Sequence, residues 1–316
     1  MGNLHPMLIL VDDRTERTVD DRAAPLGHAV IAALEADPIH VRVLYCIPNH
    51  NNATFLPELL ASIESDAAIG SIDASILLVN DGCTVASASV AREYQALGSL
   101  PLHVRETPIA RGEGAARATV LDHARSFEDA DYLRAVDSDD LLPPGSTWSM
   151  ILAARALGLS AVSGEFRLFG SDGVVRDMLP VAHDEIMAMM RRTNPFRTAC
   201  ALFDARQARM HNLTVDPRWK RCADYALLID LARYGRLGNL AEPVLLYRQH
   251  AGSITGQARQ RVSAAFLRIV AANWRNPVLP RVTGRDLLAL ARLAILVATP
   301  PTLLPRLVAV KQRLFG

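Results

Sequence analysis

The sequence lacks an imbalance of charge, a pair of cysteines at metal-binding spacing and an apolar run long enough to cross a bilayer. Each absence removes a class of protein. Lysine plus arginine total 34 against 33 aspartate plus glutamate, a formal net charge of +1. No concentrated basic face is evident, so long-range attraction to nucleic acid has no source and no nucleic-acid partner is expected. The cysteines, Cys46, Cys83, Cys200 and Cys222, are far apart and show no C-x-x-C spacing, which argues against a zinc site. Cys46 and Cys200 sit in apolar runs and read as small core residues. This usage predicts a reducing, cytoplasmic compartment. The opening MGNLHPMLILVDDR has no basic start, long apolar stretch or small-residue cleavage site, and so does not read as a signal peptide. No run of about 18 apolar residues occurs, so no spanning helix is expected. Internal repeats and low-complexity tracts are also missing.

What is present is a chain of 316 residues with 50% hydrophobic content, enough for a sizeable core in roughly one to two domains. Residues 1–40 read as an N-terminal extension with a short strand (MLILV) and a short helix (HAVIAALEA). From 41 onward the pattern alternates. VRVLYCIP, ASILLVN, LHVRE and DYLRAV have strand character; FLPELLASIES, VASASVAREYQAL and GAARATVLDHARSF have helical spacing. Such alternation predicts an α/β fold with a mostly parallel sheet and helices on both faces. Ligands of these sheets bind at the carboxyl ends of the strands, which points to loops 48–54, 80–84, 107–114 and 137–145.

Beyond residue 150 the order loosens. AVSGEFRLFG and GVVRDML read as a hairpin pair, TACALFDA (198–205) as a buried strand, and EPVLLYRQH (242–250) as a strand. DYALLIDLARYG (224–235) reads as a helix whose Gly235 suits a left-handed cap. Residues 261–316 form a helical C-terminal segment, with apolar pieces between 284 and 316 broken by Pro300, Pro301 and Pro305. It reads either as a lid packed on the domain or as an element on a membrane surface, its Arg306, Lys311 and Arg313 near anionic headgroups.

The loops carry the chemistry. PNHNNATFLPELL lacks the Gly-x-Gly-x-x-Gly turn of a dinucleotide binder. VNDGCT taken alone is a turn. In ARGEGAARA, Gly112 and Gly114 open a helix whose N-terminus suits an anion, with Arg111 or Arg117 adding charge, although a solvated helix start explains the loop equally well. In VDSDD, the carboxylates of Asp137, Asp139 and Asp140 raise one another's pKa unless a cation neutralises them. A hard cation such as Mg²⁺ takes one or two carboxylates and completes its shell with phosphates and water. The plainer reading is a solvated turn with Asp140 near a helix start.

Taken in order, VLYCIPNHNNATFLPELLASI, ILLVNDGCT, GEGAARATVLDHA, DYLRAVDSDDLLPPG, CADYALLIDLARYG and VLLYRQHAGSIT resemble a family 2 glycosyltransferase of the GT-A fold, over about residues 41–255 within a domain of 41–260. The resemblance implies an inverting enzyme that uses a nucleoside diphosphate sugar, often UDP-linked, with Mg²⁺ or Mn²⁺, and a glycan or lipid-linked acceptor. It implies that Pro48 and Asn51 line the nucleoside pocket, that Asp81 contacts the base and that Arg117 lies near the nucleotide. Asp139 would be the direct metal ligand, Asp137 would face ribose or metal, and His250 would reach the metal or diphosphate. Asp224 would be the general base; alternatively it caps the helix that follows.

The sequence departs from the family pattern at Asn80, His50, Ala118 and Ala223, which stand where Asp, an aromatic residue, Asn and Glu are common. Asn80 and Ala223 motivate a second reading, a non-catalytic sugar-nucleotide-binding domain of the same descent. A nucleotidyltransferase is a third, disfavoured because no Gly-rich, Lys-containing loop follows the first strand. A membrane-bound 284–316 would place the protein at the inner membrane face and favour a lipid-linked acceptor.

Overall fold

The computed structural model describes residues 40–169, 179–216, 218–219, 221–248 and 259–299. The expected N-terminal strand and helix, nearly all of GVVRDML, His250 and everything after residue 299 lie outside the described residues. The strands are β1 Val41–Asn49, β2 Ile72–Asp81, β3 Leu102–Thr107, β4 Tyr132–Ala135, β5 Leu159–Phe169, β6 Leu202–Asp204 and β7 Arg236–Arg248. The helices are α1 Leu56–Ala67, α2 Val85–Leu97, α3 Glu113–Ala124, α4 Ser146–Leu157, α5 His183–Met189, α6 Ala205–Met210, α7 Ala223–Tyr234, α8 Arg259–Ala272 and α9 Gly284–Ala298.

One sheet runs β3-β2-β1-β4-β6-β5-β7. β1 pairs in parallel with β2 and β4, and β2 with β3. β6 opposes both β4 and β5, and β7 is parallel to β5. Only β6 is reversed among the described strands, so the carboxyl ends of β1, β2, β3, β4 and β7 share one edge. Side chains alternate across the sheet: Val41, Val43, Tyr45 and Ile47 pack with α1, α2 and α4, whereas Leu44 and Cys46 pack with α3, α7 and α8. The chain passes from β1 outward to β3 and returns to β4 on the other side of β1. That reversal opens a crevice between the ends of β1 and β4, where ligands of such sheets bind.

A buried polar network stiffens the sheet beneath this crevice. Tyr45 Oη donates to Asp66 Oδ2 at 2.9 Å, and Ser146 Oγ and the Thr147 amide donate to Asp66 Oδ1 at 3.0 and 3.1 Å. Arg134, fully buried on β4, donates to Thr147 Oγ1, to the Cys200 carbonyl and to the Val244 carbonyl. Burial pulls its guanidinium below the ordinary value, while Cys200, Asp66 and Tyr45 work the other way.

Three expectations change. TACALFDA is not one strand: a 3₁₀ turn at Thr198–Cys200 leads into the three-residue β6, and α6 starts at once. The Asp204 carboxylate accepts from the Gln207 amide at 2.9 Å and caps that helix. Gly235 does end α7, but at φ −179° it is extended, not left-handed. Its lack of a side chain matters for spacing, because a Cβ there would lie 1.6 Å from Ser160 Oγ on β5. β7 begins at Arg236, ahead of the expected 242.

Candidate active site

The loops after β1 and β2 are stitched together by side chains. Asn49 Nδ2 donates to Asn80 Oδ1 at 2.8 Å, and Asn51 Oδ1 accepts from the Thr84 amide at 2.7 Å. Asn80, standing where an acid is common, therefore serves as an amide partner for Asn49. Cys83 Sγ accepts from Asn49 Nδ2 and the Asn51 amide, both at 3.4 Å. The His50 ring donates to the Asp81 carbonyl at 2.6 Å. Asn51 itself is left-handed, at φ 56°. Asn52 Nδ2 crosses the crevice to Ser138 Oγ at 2.9 Å, so the amide-rich loop is tied to the acidic turn as well.

Asp81 is buried at 1% exposure and organises the loop after β3. Its Oδ1 accepts from Thr107 Oγ1 at 2.7 Å, and its Oδ2 accepts from the amides of Arg111 and Gly112 at 2.9 and 3.2 Å. Gly82 permits the crossing of these loops: it has φ 59°, and a Cβ would meet the Ala110 nitrogen at 2.2 Å. Thr107 makes a contact with Asp81 that no sequence motif marked.

The acidic turn follows β4. The Asp140 amide donates to the Asp137 carbonyl at 3.2 Å, closing the turn. Asp140 is buried, not solvated, and its Oδ1 accepts the Arg248 amide at 2.9 Å. Burial first, and the Asp137 charge next, hold its carboxyl well above the usual range. Asp137 and Asp139 keep partial exposure. Arg117, on α3, donates to Asp137 Oδ2 at 2.6 Å. Arg248, at the end of β7, donates from Nε to the Asp139 carbonyl at 2.9 Å and from Nη2 to Glu58 at 2.6 Å, and lies 4.8 Å over the Phe55 ring. Tyr-Arg-x-His drew attention to its histidine; the described structure shows that its arginine clamps the acidic turn.

Asp224 is the second residue of α7, and Cys222, at φ 55°, occupies the cap position, so Asp224 is not the helix cap. Its Oδ2 accepts from Asn194 Nδ2 at 2.8 Å, and Asn194 Oδ1 accepts from the Phe196 amide at 3.4 Å. Asn194 lies in a strap held from β7, where Asn239 Nδ2 donates to the Pro195 carbonyl at 2.9 Å. Arg197, from the same strap, keeps some exposed surface, but its guanidinium lies 4.5 Å over the Phe166 ring. Desolvation lowers that guanidinium's pKa, and Cys200 and then Asp224 oppose the shift. No motif signalled Asn194. One pocket, with about 380 Å³ of open space, brings together Pro48, Arg117, Thr198 and Asp224. It joins residues from three separate motifs, and Arg117 connects it to Asp137.

Among the described residues no three His, Cys, Asp or Glu converge as a self-sufficient metal cage. Two partly exposed carboxylates on one turn fit a hard divalent cation that takes its remaining oxygens from a diphosphate and water. They do not fit a metal held by protein alone.

The sequence profile of a family described as Glycosyl transferase family 2 matches residues 45–207. No curated protein matches the chain by sequence. Among solved structures, S. aureus TarS 1–349 in complex with UDP-GlcNAc is similar at TM-score 0.61 and 14% identity, over 84% of this chain and 78% of that one. Its complex with UDP superposes at TM-score 0.60 and 13% identity, over 84% and 77%. The mannosyltransferase PcManGT from Pyrobaculum calidifontis, in complex with GDP-Man and Mn²⁺, is similar at TM-score 0.58 and 17% identity, over 93% and 91%. At these identities the likeness establishes a shared GT-A-type fold. With the profile spanning more than half of the sequence, the chain belongs to glycosyl transferase family 2.

Proposed function

We propose that this glycosyltransferase moves a sugar from a nucleoside diphosphate sugar, UDP-linked by preference, to an acceptor hydroxyl on a glycan or lipid-linked glycan, with inversion and with a divalent cation. The observation that carries this reading is the pocket lined by Pro48, Arg117 and Asp224, joined to the acidic turn by the Arg117–Asp137 contact of 2.6 Å. The nucleotide-sugar complexes of the two similar enzymes support the class of substrate. UDP and GDP both appear among them.

In this reading Pro48 and Asn51 border the nucleoside, and Asp81 faces the base while anchoring its own loop. Asp137 and Asp139 would hold Mg²⁺ or Mn²⁺, with His250 close to it. When bound, the cation offsets the charge that develops on the departing diphosphate. Arg117 adds a fixed positive charge at the same place. Asp224 takes the proton of the acceptor hydroxyl as its oxygen attacks the anomeric carbon. The bond to the diphosphate breaks from the opposite side, and a single displacement inverts that carbon. Asn194 keeps the Asp224 carboxylate turned into the pocket.

A thermal-shift screen of UDP- and GDP-sugars with Mn²⁺ or Mg²⁺ identifies the nucleotide sugar, because ligands of the folded state raise its stability. With that compound, Asp224→Asn is expected to reduce transfer by roughly 10²- to 10⁴-fold while keeping metal-dependent binding, and Asp139→Ala is expected to lose both. Unchanged turnover in Asp139→Ala would sink the assignment. Binding by the wild-type protein with no transfer to any acceptor and no hydrolysis would favour a domain that has lost its chemistry.

A further inference from the structure

α9 has two unlike faces. The inner face is fixed to the domain: Leu293 is buried, Asp286 pairs with Arg192 at 3.2 Å, and Gln260 Nε2 of α8 donates to the Leu296 and Thr299 carbonyls at 3.1 and 2.6 Å. The outer face is apolar and open. Leu287 and Leu288 are each 54% exposed and Ile295 is 63% exposed, with Ala291, Ala294 and Ala298 exposed between them. At 3.6 residues per turn these six positions fall within an arc of about 120°. A helix facing water ordinarily places charged and polar residues there.

The charges that α9 does expose are of one sign and lie on one flank. Arg285 and Arg292 are exposed, and helical geometry sets them together beside the Leu288–Ile295 edge. Asp286, the one acid between 284 and 316, is buried on the inner face, whereas the sequence after α9 adds Arg306, Lys311 and Arg313. An apolar strip bordered by cations, with no exposed carboxylate on α9 itself, matches the boundary between acyl chains and anionic headgroups. Arginine stems can lie along such a strip while their heads stay in the headgroup layer. A span of the bilayer is not involved, since among the described residues no helix is long and apolar enough to cross it.

We propose that the outer face of α9 docks the protein on an anionic lipid surface. Leu287, Leu288 and Ile295 enter the interface, and Arg285 and Arg292 contact the headgroups. The proposal rests on the helix and does not depend on the role of Asp224. α8 connects the two regions: its Val262 carbonyl accepts from Cys222 at 3.4 Å, and its Phe266 ring lies 4.6 Å from that of Tyr225. A docked α9 would therefore hold the start of α7 at a fixed relation to the membrane.

The test is co-sedimentation of the full chain with vesicles of phosphatidylcholine alone, or with about one part in three phosphatidylglycerol. The wild-type protein is expected to sediment with the anionic vesicles and to be released by salt. Leu288→Ser with Ile295→Ser is expected to weaken partitioning on the order of ten- to a hundredfold. Arg285→Gln with Arg292→Gln is expected to remove the preference for anionic lipid. The Leu288/Ile295 pair alters exposed side chains, so an unchanged melting temperature is expected for it, and unchanged nucleotide-sugar binding for both pairs. No wild-type binding, equal binding to both vesicles, or binding that survives the Leu288/Ile295 change overturns the proposal. Two further outcomes also overturn it: a wild-type dimer that the apolar variant converts to monomer, which would make the face a contact between copies, and a large drop in that variant's melting temperature, which would mean that the chain itself covers the strip.

Discussion

Replacing Arg248 with alanine should loosen the acidic turn without removing any of its acids. The side chain makes a charge-assisted bond to the Asp139 carbonyl at 2.9 Å, a contact with Glu58 at 2.6 Å and a stacked contact 4.8 Å over Phe55. The bond to the carbonyl is worth about 1.5–3 kcal/mol. The Glu58 pair adds little, roughly 0–1 kcal/mol, because Glu58 is 58% exposed, and the ring contact adds about 0.5–1 kcal/mol. A loss of about 2–5 kcal/mol follows, which lowers the melting temperature on the order of 3–8 °C for a chain of this size. The backbone amide of residue 248 still reaches Asp140 at 2.9 Å, and Asn52 and Arg117 still hold Ser138 and Asp137, so the turn stays attached on either side of Asp139 and gains freedom there. Reordering that residue on binding takes about 1–2 kcal/mol, a five- to thirtyfold weaker affinity for nucleotide with Mn²⁺. Calorimetric titration of UDP and GDP with Mn²⁺ into both proteins, beside their melting curves, measures the two effects separately. A lowered melting temperature with wild-type affinity would refute the link between the clamp and the metal-binding turn. No change in either would refute the energetic reading of the contacts.

Two more outcomes follow from side-chain contacts. Asn194→Ala removes the 2.8 Å bond to Asp224, and the loss of a bond to a charged group predicts a fall in kcat of roughly ten- to a hundredfold, with the KM for the nucleotide sugar little changed; steady-state transfer kinetics would show whether the two parameters separate. The Tyr94 hydroxyl at 2.6 Å, with the Ser99 amide, holds the Glu64 carboxyl below its ordinary value. A depressed carboxylate stabilises the fold above its unfolded pKa and stops doing so as pH falls through its folded pKa. Tyr94→Phe should therefore lower the urea midpoint at neutral pH, with the gap to wild type narrowing in acid; a gap independent of pH would contradict this assignment.

The sheet's first half was readable because each strand and helix there is long enough to show its period. VASASVAREYQAL is α2 from end to end, and the loops at the strand ends follow from the alternation alone. The second half was not readable, for physical reasons. β6 has three residues, too few for an alternation, and its reversed direction is set by its neighbours on both sides. Arg134 looks like an interruption in an apolar strand until its three acceptors, drawn from distant parts of the chain, are in place. Asn194 has no motif around it and meets Asp224 only through a fold that brings residues 30 apart together. Gly235 shows the limit from the other side: the residue was correctly placed at a helix end, yet its role is room for Ser160 and not a left-handed turn. Asp137, Asp139, Arg117 and Asp224 could be named in advance because they fall at positions of the ordered motifs that resemble the family, and the structure sets Arg117 against Asp137 and, across the pocket, near Asp224.

The reach of β7 back to the acidic turn has a consequence for the order in which this protein can be made. The crevice walls, β1 and β4, are complete by residue 135. The contacts of Arg248 with Asp139 and Asp140 span 109 and 108 residues, and the Leu141–Leu246 bridge is also long. During synthesis the acids exist well before the strand that fixes them. A nascent chain can therefore carry a partly built sheet whose acidic turn has its Asn52 and Arg117 partners but lacks the Arg248 clamp, which closes when nearly the whole sheet has emerged.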